Sequence, residues 1–456
     1  VLLWANQLSF MKNLLLLLAG LFFFFQAIEA KNANTIVSHP EIGTISTPDD
    51  AEVKLLLKAR IKAYSSVVKD TNDYYDTDIN SPKSVEIFET AGKFYVNSLE
   101  GCETIVYDLH TLKKLKVIKH TFSPSKSYLF TNELPFGYTY SDRTSNPNIF
   151  SGKPVECTFT HNKKYLWVTY YRRSYDTNAQ EPSAVAIIDT ETDTIVRVMP
   201  CGPLPKMIAA SHNNKYVAIT HWGDNTVSLV DISSDKVSDW KFVKQVVIDY
   251  KMTLSYNDSI PVNRDENCGH CLRGTTFTPD DKYLFVGKMG GGGGIAIIDM
   301  DKMKYVRTVE GMRTNLRHLV VTDSTIYASA NSWGIVQKTS LAKFLQFVKE
   351  DTSKKQKYTQ WDECAIGVGA RTISVTKDEK YIFAAVNNSA KVAVIRSEDM
   401  KKICEVDADS FPVGLSLTDE GDYVIVTAQG REGYTGTGNS VMIYKVDYNN
   451  IADKTP

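Results

Sequence analysis

Seven segments of this 456-residue chain repeat one pattern: a short β-rich run ending in Thr or Ser, a polar turn, then a second run opened by Lys-Tyr or a close variant. The first runs end at Thr90, Thr160, Ser211, Thr278, Thr322, Thr376 and Thr418. A period of about 40 to 70 residues is that of propeller blades with loop insertions, one supersecondary unit per repeat. The pattern therefore predicts an all-β fold, a seven-bladed β-propeller of four-stranded blades. Residues 272–309 are the clearest copy. There 275–278 reads as an inner strand, Pro279-Asp280-Asp281 as a turn, 283–286 and 295–298 as buried strands, and 305–309 as the outer strand.

The buried third strand recurs before Leu109, Thr190, Ile232 and Ser397, and blurs in blades five and seven. Short runs rich in Val, Ile and Tyr suit strands covered on both faces. The last blade stops after three strands at Tyr448, which would leave an unpaired edge. Closure of the ring by an N-terminal strand from residues 51–68 is the expected remedy. Apart from 51–66, which reads as helix or strand, nothing long and amphipathic competes with the strands. Residues 120–132 imitate the strand-turn-strand motif and are read as an elaborated loop between blades one and two, the alternative being an incomplete eighth blade.

The N-terminal residues read as an export signal. Met11-Lys12 precedes an apolar run over 14–25 and a small-residue exit ending at Ala30, the order of a secretory signal peptide. An apolar core of about a dozen residues is shorter than the ~20 that span a bilayer, so a cleaved leader is favoured over an uncleaved anchor. The expected organisation is 1–30 upstream residues plus leader, 31–83 an N-terminal segment with the closing strand, 84–448 the propeller and 449–456 a polar tail. No transmembrane segment is expected after cleavage, and the mature chain is placed in the periplasm or outside the cell. Lys and Arg total 52 against 53 Asp and Glu, with no basic tail, which argues against nucleic acid as a partner.

The repeat, with its Lys-Tyr opening and third strands of the type Thr-Val-x-x-Ile-Asp, resembles the YVTN repeat of YncE-like exported β-propellers over roughly residues 84–448. The signature itself is degenerate, reading WVTYY from Trp167, AITHW from Ala218 and IVTAQ from Ile425. The resemblance implies the fold and export. It carries over no catalytic residue, and similar propellers include cofactor-bearing oxidoreductases.

Aligning the inner strands on their terminal Thr or Ser places Val85, Val155, Lys206, Arg273, Arg317, Arg371 and Val413 at one position. The next position holds Glu86, Glu156, Met207, Gly274, His318, Thr372 and Gly414. Both should ring one mouth of the channel, with cations on one arc and carboxylates on the other. Clustered cations in a partly desolvated cavity suit carboxylate, phosphate or sulfate; the alternative is that they bond loop carbonyls or neighbouring carboxylates and hold the blades together. Loops on the same face offer Tyr171, His221, Trp222, Trp333 and Arg431, and the insertion 122–150 adds aromatic residues as a lid. Rings mixed with polar groups suit a glycan fragment or a partner's loop.

The mature chain keeps all seven cysteines. Cys268-Gly-His-Cys271 allows a local disulfide, half a metal site or a redox pair, and Leu272 stands where haem attachment would need His. Gly290 opens a run of five glycines that lacks the Lys-Ser/Thr of a phosphate loop and reads as a flexible connection. The expectation is a monomeric, non-catalytic binding module without a cofactor, taking an anionic or polar small molecule, a glycan or a protein loop. The alternative is an enzyme: a lyase or hydrolase using His318 and Glu156, or an oxidoreductase with a metal or haem-like group in the channel.

Overall fold

A computed structural model describes residues 36–130, 133–141, 144–254, 262–350, 357–430 and 438–448. The expected leader, Arg431 and the polar tail lie outside the described residues. The chain forms seven sheets, one per repeat, with the strands of each repeat paired antiparallel. Their inner strands are Pro82–Phe88, Phe150–Thr160, Pro205–Ala210, Leu272–Phe277, Leu316–Val321, Ala370–Val375 and Pro412–Leu417, and each touches the inner strands of the neighbouring blades around a central channel. Second and third strands such as Lys93–Ser98 and Glu103–Asp108 are buried almost throughout. Their Val, Ile and Phe side chains interlock from blade to blade, as where Phe383, Val392 and Val394 of blade six meet Val424, Val426 and Met442 of blade seven.

The ring closes as the missing edge demands. Val53–Lys62 runs antiparallel to Ser440–Tyr448, in register from Val53 opposite Tyr448 to Lys62 opposite Ser440. Val53, Leu55 and Leu57 enter the apolar layer between blades six and seven. A short strand, Asp73–Tyr75, adds to its outer side in parallel. At this seam Arg60 donates to Asp73 at 3.0 Å and to Asp409 at 3.1 Å, and Lys62 also pairs with Asp73.

Among residues 120–132, the described ones, 120–130, form no eighth blade. Thr121–Phe122 is a two-residue strand alongside blade two's inner strand, and a 3-10 turn follows over Pro124–Leu129. The lid expectation fails for most of the insertion's aromatic residues: Phe122, Phe130, Tyr138 and Phe150 bury against blades two and three, while Tyr128 stays 80% exposed. Phe122, Phe130, Phe150 and Tyr170 pack ring to ring at 5.1 to 6.0 Å. Tyr138 donates to Asp224 at 2.6 Å, and Phe136 meets Phe242 at 5.9 Å.

Blade five differs from the reading as well. Between its third strand, Ile335–Ser340, and its fourth, Asp362–Ala365, stands a helix, Leu341–Glu350. Leu341, Phe344 and Val348 form its buried stripe, and Phe344 meets Phe285 and Tyr358 edge-on. No helix among the described residues is long and apolar enough to cross a membrane.

Candidate functional site

Every inner strand carries a bulge at the same height. The pairing shifts between Leu272 and Thr275 in blade four, and the equivalent shift recurs in the other six blades. A bulge sets two residues against one on the partner strand and re-aims their side chains. Here it breaks the inward-outward alternation where the strand enters the channel. The first bulged residue stands at the mouth and the second lies just below it.

The register corrects blade one. Thr90 does not end its inner strand; it lies inside a four-residue turn that returns through Gly92 in the left-handed region, with Phe88 already opposite Lys93. Counted from the bulge, Lys83 and not Val85 is the equivalent of Arg273, and Ser84 is the equivalent of Glu156. The mouth therefore holds five cations: Lys83, Lys206, Arg273, Arg317 and Arg371. Glu86 belongs one layer deeper. Burial lifts its carboxyl to about 7, Lys163 opposing and Glu156 adding to the effect.

That shift has a testable sign. The folded chain keeps the Glu86 proton up to about 7 while an unfolded glutamic acid releases it near 4.5, so the folded state binds more protons across this window. Stability then falls as pH rises through it. In Glu86→Gln this fall should disappear, so that the variant gains on the parent between those two pH values in urea-unfolding midpoints. Parallel profiles would refute the assignment.

Half of the mouth is neutralised from within. Arg273 reaches across to Glu156 at 2.5 Å and donates to the Lys206 carbonyl at 2.6 Å. Lys206 pairs with Asp265, which also accepts from the Tyr171 hydroxyl. Its ammonium lies 3.9 Å from the Trp222 ring centre and 4.9 Å from that of Tyr171, and Trp222 Nε1 donates to the Asp265 carbonyl at 3.0 Å. Burial works against the charge on Asp265, yet Lys206 and Tyr171 hold its carboxyl below the usual range. Asp265, on the loop entering blade four, is a mouth residue that the repeat gave no means of finding.

The other half stays open. Among the described residues Lys83, Arg317 and Arg371 have no carboxylate within ion-pair distance. Arg317 makes one weak contact, 3.6 Å to Met289 Sδ, and Arg371 stands 5.4 Å over the Phe411 ring. Burial lowers all three and neighbouring cations add to it, while Glu156 opposes: Arg273 helps bring Arg371 to about 9, Arg371 and Arg273 help hold Arg317 well below its ordinary value, and Arg371, Arg317 and Arg273 do the same for Lys83. His318, beneath Arg317, is lowered to about 4 by burial first and by Arg273 and Arg317. Its Nδ1 accepts the Ile373 N–H at 3.4 Å, which leaves the Nε2 proton free to donate.

The remaining expected residues divide. Tyr171 and Trp222 do reach the mouth, but both are engaged by Lys206 and Asp265, and Trp222 is only 8% exposed. His221 does not reach it: it is wholly buried, between Thr226 at 2.9 Å and the Gly202 amide at 3.2 Å, and burial lowers it to about 3. Trp333 is exposed at the rim, donating to Thr314 at 3.2 Å beneath Arg313. Cys268 and Cys271 are joined as a disulfide, which leaves neither thiolate to bind a metal. Nor do three His, Cys, Asp or Glu side chains converge elsewhere among the described residues. On the opposite face, the groove between blades six and seven is lined by turn residues such as Asp378, which is occupied by Thr376 at 2.7 Å and Lys380 at 3.1 Å.

No protein-family model matches the chain, and no curated protein sequence does. Solved structures do. The hydrazine synthase of Kuenenia stuttgartiensis is similar at a TM-score of 0.54 and 12% identity, over 83% of this chain and 99% of that one. The β-propeller domain of Cps50 (Swd1) from Myceliophteria thermophila is similar at 0.53 and 11% identity, over 81% and 98%. Such likeness is one of fold. Fold and site together define the class: a seven-bladed β-propeller with a cationic channel mouth.

Proposed function

We propose that this chain is an exported, non-catalytic, monomeric propeller of the YVTN type that captures an anionic ligand at its channel mouth. The observation that carries this reading is the open arc of Lys83, Arg317 and Arg371, one buried and two half-buried cations facing one channel with no carboxylate within ion-pair distance among the described residues. Unpaired charge is costly to bury, and a ligand that supplies the missing negative charge offsets that cost. Aromatic stacking on a sugar has less support, since Tyr171 and Trp222 already serve Lys206. A free small anion, an acidic glycan fragment or an acidic loop of a partner meets the same requirement. Export is supported by the leader-like order of residues 11–30 and by the Cys268–Cys271 disulfide, which persists outside the reducing cytosol. The enzyme reading draws no comparable support, because Glu156 is held by Arg273.

Calorimetric titration with citrate, inorganic phosphate and sulfate tests the proposal. The wild type should bind at least one of them, more weakly as salt is added, and the triple variant K83M/R317M/R371M should bind none. Equal binding by both proteins would sink it.

A further inference from the structure

The open arc has a more specific shape than a positive patch. Its groups come from the equivalent bulged position of blades one, five and six, and lie near enough that Lys83 feels the charge of both Arg317 and Arg371. All are donors: two guanidinium groups, one ammonium and, a layer below, the His318 Nε2 proton. The only acid among the bulged residues, Glu156, is paired with Arg273 and reaches the arc only as a neighbouring charge. Guanidinium forks and an ammonium can bond an oxyanion without competing for the same lone pair.

We propose that this arc seats the terminal phosphate of a phosphomonoester dianion, with Lys83, Arg317 and Arg371 each meeting one of its three free oxygens and His318 donating from below. A carboxylate offers two oxygens in one plane and a single charge. A phosphomonoester offers three oxygens spread about an axis, close to two charges at neutral pH, and no donor of its own at that pH. It therefore matches both the number of cations and the absence of an acceptor in the arc. Mutual repulsion among the three cations supports this, since a group meeting all of them at once relieves it for every pair. The inference rests on the anion-binding reading and narrows it.

Phenyl phosphate, phenyl sulfate, benzoate and citrate are the probes, titrated into the full chain. Phenyl phosphate should bind tighter than benzoate or phenyl sulfate. Its affinity should rise about fourfold between pH ~5.5 and ~7.5 as its second proton, with pKa about 6, leaves, while that of phenyl sulfate stays flat. Arg371→Met and Lys83→Met should each weaken it about 10- to 100-fold, the worth of one charge-assisted hydrogen bond. His318→Phe should weaken it less and leave the pH profile unchanged. Melting midpoints at or above wild type without ligand would show that the variants fold. Binding of citrate with no preference for phenyl phosphate overturns the phosphate seat and leaves anion capture standing; binding of no probe overturns both. A flat pH profile for phenyl phosphate also overturns the seat.

Discussion

Arg60→Ala is expected to destabilise the protein by about 3–5 kcal/mol, the cost of leaving buried charge without its partner. Arg60 is 7% exposed and bonds Asp73, Asp409 and the Pro40 carbonyl. Its loss leaves Asp409 with Ser440 and the more distant His39, and Asp73 with Lys62 alone. The effect should be large because these carboxylates tie three separated stretches together. Residues near 40 and 73 and the loop before blade seven's inner strand all meet at this one guanidinium. Lys58→Ala, on the same strand but exposed and, among the described residues, meeting Tyr423 through its hydroxyl and ring, is the control and should change stability by under about 1 kcal/mol. Urea-unfolding midpoints followed by tryptophan fluorescence, with limited proteolysis of the segment before blade one, distinguish the two. Equal shifts would mean that the ion cluster does not lock the seam.

The second large effect runs the other way. K83M/R317M/R371M, the variant expected to lose ligand, should be more stable than wild type by about 1–3 kcal/mol when no multivalent anion is present. Three charges that burial and repulsion disfavour are exchanged for apolar side chains of similar length. Added citrate or phosphate should raise the wild-type midpoint and leave the variant where it was, because a ligand stabilises only the state that binds it. The two melting series should therefore cross as anion is added. A variant less stable than wild type in chloride alone would assign these cations a packing role, as the alternative reading of the sequence has it.

The fold was legible in the repeat because each blade buries the same strands against the same neighbours. The closing strand was legible for a negative reason, an edge that a stable sheet does not leave bare. The mouth was legible in blades two to seven, where Thr or Ser ends the inner strand. At Thr278, for example, the hydroxyl reaches Asp280 at 2.7 Å and its amide the Tyr283 carbonyl at 2.9 Å. Blade one broke the ruler: Thr90 sits in a longer turn, so Lys83 was passed over and Glu86 placed a layer too high. Leu341, Phe344, Leu345 and Val348 do carry helical spacing, a signal masked by the expectation of strands on either side. His221 and the aromatic insertion misled because residue type shows what a side chain can contact and not which way it faces. Asp265 enters from a loop outside the repeat, and only three-dimensional placement shows it beside Lys206.

The bulge common to all seven blades has a consequence for how such a protein changes over time. The residue it turns to the mouth, whether lysine, arginine or valine, follows a shift in pairing made by backbone groups that every residue supplies. A substitution there alters the chemistry of the mouth while the strand pairing around it stays as it was. Seven such positions amount to an alphabet written on a fixed page, one letter per blade. New specificities are reached by single replacements in a ring that keeps its shape.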